Sequence, residues 1–92
     1  MDQREFYSKA WNVLVRFGQV RDLSHERETF VRYFLDRGTE WRFGGSLGFG
    51  GKFWADPLGK RHYVTCYPED STPEREKLVK EINARLAALE WW

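Results

Sequence analysis

The side chains best suited to nucleophilic or metal chemistry are few in this chain: Cys66, His25 and His62. His62 and Cys66 lie four residues apart in a segment with strand character. That spacing separates their α-carbons by about 13 Å, too far for a thiol–imidazole pair. Together with His25 they match no Cys-x2-Cys or His-Glu-x-x-His metal motif. We therefore expect a non-enzymatic protein with no cofactor and no metal ion.

A glycine-rich stretch, RFGGSLGFGGKFW (residues 42–54), is the next candidate, because such loops can bind phosphate groups. A P-loop requires Gly, four residues and then Gly-Lys-Ser/Thr, whereas Ser46 and Phe53 occupy the first and last of these positions. The segment partly matches the aromatic RNP1 strand of RNA-binding domains, but Gly51 stands where the next aromatic residue belongs. Neither motif is complete, so neither assigns a function.

The same glycines fit a structural role, because glycine permits positive φ angles and close approach of another backbone or ring. Successive glycines let two strands bend sharply and turn Leu47 and Phe49 back onto the core. A glycine loop that carries these two side chains would also suit docking onto a partner. Leu47 and Phe49 are therefore candidate binding residues as well.

Alternation along the predicted strands places aromatic and basic side chains on one face of the sheet. If helices cover the face that carries Phe53, Val64 and Cys66, the opposite face holds three aromatic and two basic residues. These are Trp54, Tyr63, Tyr67, Lys52 and Arg61. We take them as the principal candidate binding residues.

This face has three interpretations. Aromatic rings can stack on nucleic-acid bases while Lys and Arg bind phosphate, and residues 37–61 contain five basic and two acidic residues. Tyr, Trp and Arg are equally the enriched anchors of protein interfaces. In the third interpretation a helix or the C-terminal tail covers the face. Trp91 and Trp92 in that tail either cap the core next to Leu89 or anchor a partner or a second copy.

Three helices are predicted to position these residues. Apolar residues recur with helical spacing over about residues 2–18, 25–37 and 73–90. Gly18 and Gly38 are predicted to end the first two helices. Ser24 and Thr72 are predicted to cap the starts of the second and third.

Three strands are predicted between the second and third helices. Segments at about residues 39–45, 50–55 and 60–67 are rich in aromatic or β-branched residues and bounded by turn residues. The segment DPLGK (residues 56–60) predicts a hairpin turn between the last two. The order α-α-β-β-β-α predicts an α+β fold in one domain, residues 1–92. In it, helices pack on one face of a three-stranded antiparallel meander.

Composition restricts the class of protein further. With 92 residues and a net charge of +1, the chain lacks the overall basic excess of a typical nucleic-acid-binding protein. A single cysteine cannot form an internal disulfide, and no apolar run is long enough to span a membrane. The N-terminus also lacks the apolar segment of a signal peptide. We expect a soluble cytoplasmic protein, monomeric or homodimeric, with no membrane partner.

The block GGSLGFGGKFW…RHYVTCYPEDSTPER, within residues 44–75, resembles small accessory proteins encoded by bacteriophages. The Gly-rich hairpin, the YVTCYPED strand end and the Thr-Pro-Glu-Arg helix start carry the resemblance. It implies an inhibitor that binds a host protein or ribonucleoprotein complex, such as a CRISPR defence complex, in the host cytoplasm. The residues themselves leave two alternatives: a single-stranded nucleic-acid-binding module, and a virion or assembly component whose first strand pairs with another copy.

Overall fold

The computed structural model describes residues 1–44, 48–56 and 61–89. In these ranges the elements are α1 (Gln3–Arg16), α2 (Ser24–Leu35), β1 (Glu40–Phe43), β2 (Gly51–Asp56), β3 (Arg61–Cys66) and α3 (Pro73–Ala88), with a short 3-10 turn (Pro68–Asp70) before α3. The strands form one antiparallel sheet in the order β1-β2-β3. The predicted α+β meander is therefore confirmed.

Some sequence predictions concern residues outside the described ranges. These are the binding role of Leu47, the turn at residues 57–60, and the roles of Trp91 and Trp92. None of the helices in the described part of the chain has the length and hydropathy that crossing a bilayer requires.

Helix α1 begins and ends at signals that are visible in the sequence. The Asp2 carboxylate caps its start by accepting a hydrogen bond from the Glu5 amide at 2.7 Å. Gly18 follows its end with a φ of 74°, and the Gln19 amide donates back to the Leu14 carbonyl at 2.9 Å. This is the closure of a Schellman motif, and it confirms the predicted end at Gly18.

Helix α2 departs from the prediction at both ends. Leu23 takes the N-cap position without a side-chain hydrogen bond, so Ser24 is the first helical residue and not the cap. After the helix, which ends at Leu35, the positive φ of 70° lies at Arg37 and not at Gly38, the predicted terminating residue. The Gly38 amide donates to the Tyr33 carbonyl at 2.9 Å, and a Cβ on Gly38 would overlap the Tyr33 ring. Glycine at 38 is thus required by a close approach, while the strained position is one residue earlier.

Helix α3 begins at its predicted cap and runs beside the edge of β3. The Thr72 hydroxyl oxygen accepts a hydrogen bond from the Arg75 amide at 3.2 Å, which confirms Thr72 as the N-cap. Further along, the Asn83 side chain accepts from the Val64 amide at 2.6 Å and donates to the Val64 carbonyl at 3.0 Å. The Asn83 amide therefore pairs with the edge strand much as a neighbouring strand would.

The core lies between the helices and one face of the sheet, which we call the inner face. At its centre the fully buried Phe53 of β2 contacts Phe30 and Phe34 of α2, with ring centroids 5.2 and 5.1 Å apart. Trp11 of α1 packs on Phe30 at 5.2 Å, and Val64 of β3 joins the same cluster. The helices thus cover the sheet face that the alternation pattern predicted to be buried.

Candidate partner-binding surface

The opposite side of the sheet, which we call the outer face, is formed by alternate residues of all three strands. Along β2, buried residues alternate with the part-exposed Lys52 and Trp54. The strand register aligns these two with residues of β1 and β3. The described outer face comprises Glu40, Arg42, Lys52, Trp54, Asp56, Arg61, Tyr63, Thr65 and Tyr67. None of these side chains belongs to the hydrophobic core that the described helices form with the inner face. At the β3 edge, Arg61 and Tyr63 line a cavity together with Leu86 of α3 and Leu89. Tail residues 90–92 lie outside the described ranges.

Trp54 and Tyr63 form a stacked pair at the centre of the outer face. They are direct cross-strand neighbours, with ring centroids 6.2 Å apart and an interplanar angle of 18°. The Trp54 indole N–H donates a hydrogen bond to the Thr65 hydroxyl at 2.8 Å. Stacking and this hydrogen bond hold both part-exposed rings in one orientation. Rings that are ordered before binding lose less conformational entropy when a partner arrives.

A cation flanks each ring of this pair. The Lys52 ammonium lies 5.1 Å from the centroid of the Trp54 ring, and the Arg61 guanidinium carbon lies 5.5 Å from that of Tyr63. Each cation–π contact contributes about 0.5–1 kcal/mol at an exposed site. Lys52, Trp54, Tyr63 and Arg61 therefore form one continuous unit, which we call the aromatic row.

The charge of the outer face is close to balanced. The Glu40 carboxylate forms an ion pair with the Lys52 ammonium, at 3.1 Å. Among the described outer-face residues, Glu40 and Asp56 offset most of the positive charge of Arg42, Lys52 and Arg61. The face presents alternating signs around the aromatic pair, not a uniformly basic surface.

Tyr67 lies at one end of the outer face, apart from the aromatic row. Its amide donates to the Gly50 carbonyl at 2.9 Å. A Cβ on Gly50 would lie 2.6 Å from the Tyr67 ring, so glycine at this position lets the ring rest on the strand. Lys52 and Thr65 separate Tyr67 from the stacked pair in the register. The structure thus brings together four of the five principal candidates and places Tyr67 apart from them on the same face.

Phe49, the other candidate in the glycine-rich stretch, is buried. Its side chain is 4% exposed and its ring lies 5.9 Å from that of Phe43. A Cβ on Gly51 would lie 2.5 Å from the Thr65 carbonyl oxygen and 3.2 Å from the Phe49 ring. The expectation that the glycines let Phe49 turn onto the core is therefore confirmed. Because the ring is inaccessible in this fold, we leave Phe49 out of the binding surface.

His62 lies on the inner face, where it contacts another side chain of the fold. Its Nε2 is 3.1 Å from the Tyr7 hydroxyl, and the imidazole tautomer decides which of the two donates. Burial lowers the pKa of His62 to about 4, against an opposing effect of the Asp56 carboxylate. Burial also raises the pKa of Tyr7 to about 12. Both groups are consequently uncharged at neutral pH.

Cys66 also lies on the inner face, at the end of β3. Burial, together with the carboxylates of Glu76 and Asp70, raises the pKa of its thiol. The thiolate is the nucleophilic form of cysteine, so this environment disfavours reactivity. Within residues 1–44, 48–56 and 61–89, no group of three or more His, Cys, Asp or Glu side chains is placed to hold a metal ion.

Sequence reasoning missed three participants in this arrangement. Glu40 and Arg42 join the outer face because they alternate with Trp41 and Phe43 along β1, a pattern that was present in the sequence. Asn83 forms hydrogen bonds to the edge of β3. The sequence feature that could have indicated this is an amide side chain next to Ile82, in the apolar stripe of the third helix.

The chain was compared with known proteins and structures. No protein-family model, curated protein or solved structure matches this chain.

Proposed function

We propose that this protein is a non-enzymatic binding protein that contacts a partner protein through the aromatic row. The observation that carries the proposal is a pre-ordered Trp54–Tyr63 pair, flanked by Lys52 and Arg61, on the sheet face opposite the core of the described residues. Trp, Tyr and Arg dominate the energetics of protein interfaces because they combine large apolar area with polar groups. Tyr67 extends the same surface.

The partner in this proposal is a host protein or ribonucleoprotein assembly in the cytoplasm, which the protein inhibits by occupying its surface. The resemblance of residues 44–75 to small phage-encoded accessory proteins supports this part of the proposal. An inhibitor that acts by occupying a surface binds its target stoichiometrically. Inhibition then requires no group on the outer face that performs chemistry.

The charge pattern favours a protein over a single-stranded nucleic acid. Non-specific strand binding needs a basic groove that follows the phosphates along the strand. Here the Glu40 carboxylate already pairs with the Lys52 ammonium, and Asp56 adds a second negative charge. Alternating charges around two aromatic rings complement a mixed protein surface better than a polyanion.

Capture from a bacterial lysate tests the surface. We expect the immobilised wild-type protein to retain a discrete partner, and Trp54→Ala or Tyr63→Ala to weaken its binding about thirtyfold, as expected for loss of a hot spot of about 2 kcal/mol. Leu23→Ala is the matched control, because Leu23 is an exposed apolar residue (36%) at the N-cap of α2 and belongs to no strand of the sheet. The activity of the captured assembly is then measured with and without added protein.

Equal capture by all four proteins would exclude the aromatic row as the binding surface. A labelled single-stranded oligonucleotide, titrated at low salt, tests the other class of partner. Oligonucleotide binding that Trp54→Ala abolishes and that weakens steeply with added salt would assign the surface to nucleic acid.

A further inference from the structure

The two edges of the sheet differ in how their backbone groups are satisfied. At β3, the outward amide and carbonyl of Val64 are both hydrogen-bonded to the side chain of Asn83. At β1, the backbone pairing with β2 is fixed by the Ala55 amide, which donates to the Thr39 carbonyl at 2.9 Å. The parity of an antiparallel ladder then determines which β1 residues face β2.

The outward-facing groups of β1 belong to Glu40 and Arg42. Trp41 and Phe43 follow Thr39 at steps of two, so their amides and carbonyls point to β2. Within the described residues, no hydrogen bond to the backbone of Glu40 or Arg42 from outside the sheet is present. An edge with such groups is a template for pairing with another strand.

We propose that a second copy of this chain occupies this edge, with the two β1 strands antiparallel about a twofold axis at Trp41. In this register, Glu40 of each copy lies directly opposite Arg42 of the other, and their outward backbone groups form the hydrogen-bonded pairs. Both pairs of opposite charges lie on the outer face. Cross-strand pairs of opposite charge are stabilising.

The same charges select against the neighbouring registers. A shift by two residues in one direction places Arg42 opposite Arg42 of the other copy, and in the other direction Glu40 opposite Glu40. Like charges directly opposite each other are destabilising. The alternation of a single acidic and a single basic residue on the outward positions therefore makes the strand complementary to itself in one register.

An exposed aromatic residue lies on the inner side of the same edge. Tyr33 is 37% exposed, one of two large apolar residues that are exposed among the described residues. Its ring centroid lies 5.5 Å from that of the half-buried Trp41, the residue on the proposed axis. Pairing of two β1 strands would bring the Trp41 and Tyr33 rings of both copies together and remove apolar area from water.

The short strand limits the strength of the dimer. β1 has four residues, so the contact is smaller than the roughly 1,200–2,000 Å² of stable interfaces. We therefore expect a reversible dimer whose population depends on protein concentration. It would join two outer faces into one six-stranded surface. The dimer does not depend on the proposed function, because β1 pairing uses neither Trp54 nor Tyr63.

Sedimentation velocity from about 1 µM to about 1 mM protein tests the dimer. We expect the sedimentation coefficient of the wild type to rise with concentration. That of Arg42→Pro should remain at the value of a monomer. The Arg42 N–H faces outward, so proline removes an intermolecular hydrogen bond and none to β2. Circular dichroism verifies that this variant is folded.

A charge exchange tests the register with two variants that keep every backbone N–H. Glu40→Arg places like charges in both pairs, and we expect it to weaken dimerisation at least about tenfold. The double variant Glu40→Arg/Arg42→Glu exchanges the two charges and should restore wild-type dimerisation. A wild type that is monomeric at every concentration would overturn the dimer, and a double variant as weak as Glu40→Arg would overturn the register.

Discussion

At the scale of single residues, His62 shows how burial decides the role of a titratable group. The His62 ring contacts the Tyr7 hydroxyl, and its centroid lies 4.5 Å from that of the Phe6 ring. These contacts replace part of the solvent that would stabilise an imidazolium. The pKa of His62 is therefore lowered from 6.5 to about 4 by burial, with Asp56 opposing. A histidine of this kind links stability to pH.

We predict that protonation of His62 destabilises the fold in mild acid. The unfolded chain binds a proton at His62 below pH 6.5, whereas the folded protein does so only near pH 4. The contribution of neutral His62 to the free energy of unfolding is thus fully present above pH 6.5. It is lost as the pH falls from 6.5 to about 4. Because the ring is half-buried, solvent screens part of the effect, and we expect a loss of about 1–2 kcal/mol.

Urea unfolding at about pH 7 and about pH 4.5 measures this loss. His62→Gln removes the titration, so the difference in unfolding free energy between the two pH values should be about 1–2 kcal/mol smaller than in the wild type. His25→Gln is the control, because His25 is exposed on α2. Identical pH dependence in the wild type and His62→Gln would contradict the prediction.

At the scale of elements, local signals predicted most boundaries but not the details of α2. Gly18 and Thr72 were predicted correctly because capping depends on a few neighbouring residues. Arg37 and Gly38 follow the end of α2, and the capping rule alone predicted that the glycine ends the helix. The Tyr33 ring, which occupies the space of a Cβ at Gly38, is a tertiary constraint that the rule does not contain.

We predict that Arg37→Gly stabilises the protein. Arg37 adopts a φ of 70°, which is unfavourable for a residue with a Cβ. Glycine removes this strain at the expense of a more flexible unfolded chain, so we expect a net gain of about 0.5–1 kcal/mol in urea unfolding. Asp36→Gly is the matched control, because Asp36 has a φ of −88° and offers no strain to relieve.

Equal effects of the Arg37 and Asp36 substitutions would show that backbone strain at Arg37 is not significant. Gly38→Ala gives the complementary measurement. It should lower stability, because the Tyr33 ring must move to make room for the new methyl group.

The strands show where sequence reasoning about the surface succeeds and where it stops. Alternation placed Phe53 inside and Trp54 outside correctly, because a two-residue period is a property of the strand itself. The glycine stretch has no such period, so the sequence left Phe49 with both a core role and a binding role, and the close packing of Gly51 against Thr65 and Phe49 accompanies the core role. The hydrogen bonds of Asn83 to Val64 likewise depend on where α3 lies relative to the sheet.

At the scale of the whole molecule, one sheet face supports the core and the other contributes none of its described residues to it. Among the described residues, the inner face and helices α1, α2 and α3 enclose one hydrophobic cluster. A domain of this size has a free energy of unfolding of only about 5–15 kcal/mol. Adjacent residues of β2 point to opposite faces, so their contributions to the free energy of unfolding can be compared directly.

We predict that Phe53→Ala and Trp54→Ala differ strongly in their effect on stability. Phe53 is fully buried between the rings of α2, and its removal should lower the free energy of unfolding by about 3–5 kcal/mol. Trp54 is part-exposed, and loss of its stacking, its hydrogen bond and its cation–π contact should lower the free energy by about 1 kcal/mol.

Urea unfolding of the two variants, monitored by circular dichroism, compares these losses directly, with Thr65→Ser as a control that retains the hydroxyl acceptor for the Trp54 indole. A loss for Trp54→Ala equal to that for Phe53→Ala would mean that the outer face is covered and belongs to the core. An indole buried in that way would have no free surface to offer a partner, so this result would also remove the physical basis of the proposed binding role. A small loss combined with weakened partner capture would instead locate the effect of Trp54 at the interface.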